Sequence, residues 1–363
     1  MWRFVAVGWL FLSLIVVVGS VVGAETCDYP EEIWQNAALA EAGFDAQQRE
    51  ALEAVSEELP FLRSLLIVRH KCLVFERYFA EADAETLLNT FSITKSVTGL
   101  LIGMAIEEGA IAGVHDRIAP YLSRFTSNGL SAGRMTVNHL LKMLSGIDWN
   151  EDREIGGMLA LDRSETAYIL GLPRTYTHGE RWNYSTADSH LLSAVLTGAT
   201  EMSALEFAQS RLFDPLRIQD VRWTSDWDGI NLGGTQLYLR SQDIARLGLL
   251  VLDRGNWDGD QLIPEDWITM LLRPQLSDPS AYQLSYAAHW WHLRLEDQAP
   301  MSAALGYGGQ YIIIAPALDM VVVAMSNSYI RPPDRYISAS QARQQEQAIL
   351  DYLEERILIS SGN

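Results

Sequence analysis

Lysine is nearly absent from this chain. Of 27 basic residues only Lys71, Lys95 and Lys142 are lysines, and arginine carries the rest of the positive charge. Acidic residues number 46, so the formal net charge is −19. That sign excludes nucleic acid and anionic membrane surfaces as partners held by charge. Cysteine is just as scarce, with Cys27 and Cys72 alone. No CxxC, HExxH or clustered His/Cys pattern occurs among the seven histidines, so no metal ligand set and no cofactor motif is legible. Internal repeats and low-complexity linkers are also missing. A hydrophobic content of 48% against 20% charged residues excludes a disordered chain and leaves a globular one.

A long apolar run occurs once, at the N-terminus. Phe4 to Val22 is apolar apart from Gly and Ser, Arg3 precedes it, and Val22-Gly23-Ala24 supplies small residues for a peptidase. We read residues 1–24 as a signal peptide cleaved after Ala24. The other reading is an uncleaved anchor, since about 20 apolar residues can span a bilayer. Both place residues 25–363 outside the cytoplasm, periplasmic or secreted, with membrane contact only through an uncleaved segment. In such a compartment Cys27 and Cys72 form either a disulfide that ties the N-terminal arm to an early strand or two free thiols.

Pattern then divides the chain. Residues 31–59 are rich in Ala and Glu and predict a helix. "SLLIVRHKCLVFERYF" (64–79) predicts a hairpin turning at His70-Lys71. From Ser92, Val97, Leu100, Leu101, Met104 and Ala105 recur at helical spacing until Gly109, which predicts a helix with one flank in the core. The middle of the chain is mostly helical in pattern. Strand signals return at 287–296, 310–316 and 319–327, with "APALD" as a second hairpin turn, and a last helix closes the chain. Strands at both ends and helices between them predict an α+β fold. The expected architecture is an antiparallel sheet subdomain of about 60–95 and 285–363, with a helical subdomain of about 96–284 inserted.

Three segments carry candidate chemistry. Ser92 and Lys95 sit three residues apart at a predicted helix N-terminus, so they share a face. Free N–H groups there can stabilise an oxyanion, and a desolvated neutral lysine can take the serine's proton. Arginine could not do so, because it does not deprotonate. The plain alternative is a helix-capping serine beside a solvated lysine. Tyr184 precedes another predicted helix; beside a lysine ammonium it would ionise more readily and relay a proton to a leaving group. "GYGGQYIIIAP" (306–316) places glycines before a buried strand, where a backbone N–H such as that of Gln310 could join Ser92 in an oxyanion hole. A bare glycine-rich turn explains the same residues. "GLSAG" (129–133) fits a nucleophile-elbow pattern, but its flanks are loop-like, and Ser131 is read as loop.

In this order, the segments resemble the three motifs of the serine β-lactamase and penicillin-recognising family. The likeness is to its class C-related esterase and 6-aminohexanoate-dimer hydrolase branch. "FSITKSVTGLLIGMAIEEGAI", "MTVNHLLKMLSGIDW", "YSTADSHLLSAVL", "RSQDIARLGLLVLDRG" and "GYGGQYIIIAPALDMVVVAMSN" are all similar to its members and span roughly residues 60–350. The resemblance implies Ser92 as acylated nucleophile, Lys95 as general base and Tyr184 as acid/base. It implies the N–H groups of Ser92 and Gln310 as oxyanion donors. Tyr307, Gly308, Gly309 and Thr186 fall on substrate-binding motif positions, and Trp149, Trp290 and Trp291 are cleft-wall or core residues. Two departures stand out. Thr186 replaces the Asn of Y-x-N, and Tyr307-Gly308-Gly309 replaces K-T-G. Without that motif's lysine a substrate carboxylate loses its partner. The expected substrate is therefore a small ester or linear amide. A weak β-lactamase or D-alanyl-D-alanine carboxypeptidase is the second reading, and an inactive binding protein of the same fold the third.

Overall fold

The computed structural model describes residues 26–125, 132–274, 276–277, 284–293, 299–331 and 335–358. The N-terminal segment 1–24 and Ser131 lie outside them.

The first hairpin forms where its turn chemistry places it. Strands β1 (Leu62–Arg69) and β2 (Cys72–Tyr78) are joined by His70 and Lys71, both at positive φ (52° and 64°). Two such residues make a turn whose twist matches that of the strands. The partners on the far side come from the other chain end. They are β3 (Leu276–Ser277), β4 (Leu284–Tyr286), β5 (Trp291–Leu293), β6 (Met301–Gly306), β7 (Gln310–Ala315) and β8 (Met320–Ser326). They make one eight-stranded sheet in the order β2-β1-β8-β7-β6-β5-β4-β3. β1 pairs antiparallel with β8, from Leu62 opposite Ser326 to Arg69 opposite Met320.

Both faces of this sheet are covered, which explains its nearly continuous apolar strands. Leu66, Val68, Ile312, Ile314, Val321 and Val323 point into one core. Their neighbours Leu65, Ile67, Ile313, Val322 and Ala324 point into the other, as the two-residue period of a strand requires. Helices α1 (Ala46–Glu58) and α7 (Ala339–Arg356) supply Leu52, Val55, Ile349 and Leu353 to the second core. On the opposite face lie α2 (Ile93–Glu107) and α5 (Ser241–Leu252). Gly248 of α5 marks the closest approach to the sheet, because a Cβ there would stand 2.5 Å from Val321 Cγ1. Beyond α2 come α3 (Glu151–Leu159), α4 (Thr186–Thr200) and α6 (Glu265–Leu272).

Four local expectations change. The helix expected over 31–59 begins only at Ala46, where Asp45 and Gln48 form a reciprocal cap behind Gly43 at φ 82°. Helix α2 is buried on every side from Ile93 to Ala105, not on one flank, because it lies between the sheet and the outer helices. The strand expected over 287–296 is broken. Ala287 to Trp290 makes a turn between β4 and β5, with Ala287 N–H donating to Trp290 O at 2.8 Å and His289 at φ 65°. Residues 294–296 of that run lie outside the described residues. Strand β6, with its modest Met-Ser-Ala-Ala sequence, was not expected; pairing with β5 and β7 forms it. Cys27 and Cys72 form a disulfide, so the arm is fixed to the start of β2.

Candidate active site

The chain reaches Ser92 through a strained corner. Phe91 holds φ 46°, an unusual value for a bulky residue, and Asn89 Oδ1 accepts its N–H at 3.0 Å. A small antiparallel sheet of Leu88–Asn89, Leu237–Leu239 and Arg222–Trp223 anchors this corner and brings Gly234 beside it. Ser92 occupies the N-cap position of α2 but makes no side-chain cap bond, which sets aside the plain capping role.

Its hydroxyl instead accepts a hydrogen bond from Lys95 Nζ at 2.8 Å. The same Nζ donates to Thr186 Oγ1 at 2.8 Å and to Gly234 O at 2.9 Å. All three ammonium protons are thereby placed. Lys95 is 1% exposed. Burial pushes its pKa down to about 8, against an upward pull from Glu151. Lysine was the required residue: it fits three converging acceptors and can still lose its proton.

Tyr184 leans over the pair, with its ring centroid 4.9 Å from Lys95 Nζ. The expected ease of ionisation is overturned. Burial, then the Glu151 charge, raises the Tyr184 pKa well above the ordinary phenol value, outweighing the opposite pull of Ser92. Tyr184 is therefore a neutral phenol in the resting site.

Glu151 escaped the sequence reading. Its Oε2 accepts from Thr186 N–H at 2.9 Å and from Trp149 Nε1 at 2.5 Å, and its Oε1 accepts from the Thr186 hydroxyl. Thr186 Oγ1 thus bridges Lys95 and Glu151. One carboxylate among 46 acidic residues carries no local mark, and only its place two residues after Trp149 hints at it.

A cavity of about 530 Å³ opens over Ser92. Tyr184, Trp291, Phe91, Tyr307 and Tyr336 supply aromatic wall, and Ile155, Leu159 and Leu350 aliphatic wall. Among the described residues its charged lining consists of Glu151, Asp152 and Glu346, without lysine or arginine. Of the expected binding residues, Thr186 and Tyr307 line it. Gln310 does not. It is 1% exposed, and its side-chain amide donates to Tyr307 O at 3.1 Å and Ser328 Oγ at 2.8 Å. Gly308 and Gly309 are also absent from the wall. They are glycines because φ is 77° and 99°, and because a Cβ would meet Ser328 Oγ at 2.4 Å and Ile349 Cδ1 at 2.6 Å. All three build the turn that presents Tyr307. Of the tryptophans, Trp291 lines the cavity, Trp149 holds Glu151 and Trp290 is core.

A family model described as Beta-lactamase matches residues 63–347, and the chain belongs to that family. Among curated proteins it is 25% identical over 313 residues to a 6-aminohexanoate-dimer hydrolase of Paenarthrobacter ureafaciens, covering 76% of this chain and 77% of that one. A Bacillus anthracis structure assigned as a 6-aminohexanoate-dimer hydrolase superposes with a TM-score of 0.69 at 20% identity, over 91% of this chain and 90% of that one. The octameric penicillin-binding protein homologue of Pyrococcus abyssi gives 0.65 at 19% identity, over 85% and 79%. The protein is thus a β-lactamase-fold hydrolase related to 6-aminohexanoate-dimer hydrolase.

Proposed function

We propose that this chain is an exported serine hydrolase that cleaves a small ester or linear amide through an acyl-enzyme. The observation that carries this reading is the buried Lys95, depressed to about 8 and bonded to Ser92 Oγ at 2.8 Å. Neutral Lys95 takes the Ser92 proton as Oγ attacks the carbonyl carbon. The oxyanion is held by the N–H of Ser92 at the start of α2. Tyr184 gives its proton to the departing alcohol or amine as the C–O or C–N bond breaks, and recovers one from the Lys95 ammonium. Water then attacks the acyl group by the reverse proton path.

The three lining carboxylates, with no lining cation among the described residues, favour uncharged or amine-bearing substrates over carboxylate-bearing ones. That weighs against efficient β-lactam or D-alanyl-D-alanine turnover. An inactive binding protein would have no use for a buried lysine aimed at a serine. A fluorophosphonate probe with a p-nitrophenyl ester assay tests the reading. Wild type should label and turn over, and Ser92→Ala should do neither. Labelling that survives in Ser92→Ala would overturn it.

A further inference from the structure

Behind the hydrolytic site lies a second group of functional side chains. Glu165, His190 and Asp226 place one ligand atom each within 4.8 Å of one another. Their side chains are 6%, 0% and 0% exposed. His190 Nδ1 stands 3.9 Å from Glu165 Oε2, and His190 Nε2 stands 3.2 Å from Asp226 Oδ2. Thr166 Oγ1 adds an oxygen 3.5 Å from Nε2. Yet Glu165 Oε2, His190 Nδ1 and Asp226 Oδ2 are all buried without a hydrogen-bond partner. Asp226 Oδ1 is occupied separately by the N–H groups of Asp228 and Ile230. Neither carboxylate has a lysine or arginine ion-pair partner among the described residues. Two buried carboxylates sharing one imidazole are costly without a compensating cation.

We propose that Glu165, His190 and Asp226 form a structural site for a divalent transition-metal cation of the zinc or manganese type. One imidazole and two carboxylates suit such an ion, and two carboxylates balance its charge. The hydroxyl of Thr166 is placed to be a fourth donor. The role is structural because the cluster is closed to solvent.

What the ion would steady is specific. His190 stands one helical turn after Thr186 on α4, and the Asp226 loop runs on through the Ser225–Asn231 bridge to Gly234. Thr186 and Gly234 are two of the three acceptors of Lys95. The site would thus clamp both segments that place the lysine.

The test uses the full-length protein. Elemental analysis should find about one zinc or manganese ion per chain. Chelation should lower Tm by several degrees, and Zn²⁺ or Mn²⁺, but not Ca²⁺, should restore it. In the near-isosteric variants Glu165→Gln and Asp226→Asn the metal-dependent shift should vanish, whereas Ser92→Ala should keep it whether or not the chain is a serine hydrolase. A wild type that carries no metal and whose Tm Zn²⁺ and Mn²⁺ leave unmoved would overturn the proposal. So would restoration by Ca²⁺ alone, or a shift that persists in both carboxamide variants.

Discussion

Lys95 shows what one residue's surroundings can do. An ordinary lysine is neutral in about one molecule in three thousand at pH 7, whereas one near 8 is neutral in roughly a tenth. In the proposed mechanism only the neutral form takes the Ser92 proton, so kcat/KM for a p-nitrophenyl ester should rise with pH through a limb near 8. Glu151 pulls this pKa upward, so Glu151→Gln should move the limb to lower pH. A limb that stays in place would show that the carboxylate is not coupled to the lysine. In the proposed mechanism Tyr184 gives its proton to the leaving group, so Tyr184→Phe should slow turnover by about 10²–10⁴ while keeping the aromatic wall. A loss below tenfold in steady-state kcat would mean that the tyrosine only packs. Ser92 and Lys95 were legible because both lie in one helical turn. Glu151 was not, because it acts on Lys95 through Thr186, across the fold.

Among the elements, the Tyr307–Gly309 turn is where local pattern and function part. Its glycines could serve a ligand or a turn, and the sequence did not decide between them. In the structure they serve the turn: Gly308 N–H donates to Glu346 Oε1 at 2.8 Å and its φ is 77°. Gly308→Ala should therefore cost about 1–3 kcal/mol in urea unfolding, from backbone strain alone. It should also lower activity, because the neighbouring Tyr307 forms cavity wall. Unchanged stability would show that the turn relaxes. Hairpins with clear turn chemistry, at His70-Lys71 and at "APALD", were readable. Strand β6 was not, because its alanines gain strand geometry only from the neighbours on either side. The helix expected from Glu31 failed at its start, since composition predicts helical content but a cap decides where the first turn begins.

At the scale of the whole molecule, the sheet joins chain ends nearly the full length apart, and the Cys27–Cys72 disulfide fastens the arm preceding it. The bridged residues are 45 apart in sequence, a loop whose closure corresponds to about 4 kcal/mol in the chain-entropy model. The double variant Cys27→Ser/Cys72→Ser should lose up to that amount in urea unfolding. A loss under about 1 kcal/mol would mean that packing alone holds the arm. The antiparallel sheet from both ends was predictable from element order. The complete burial of α2 was not, because periodicity records one apolar face and cannot count the layers that pack around it.

By itself the sequence determined what short-range physics controls: the turn of β1–β2, the alternation of the strands, and a serine and lysine on one face of one helical turn. The tertiary structure decided everything that depends on the surrounding medium. It removed water from Lys95 and so brought its pKa within reach of neutrality, kept Tyr184 protonated, and bonded the Gln310 side chain to Tyr307 O and Ser328 Oγ. It also brought Glu165, His190 and Asp226 together. Desolvation and Coulomb interaction depend on distance in space, and distance along the chain does not report it.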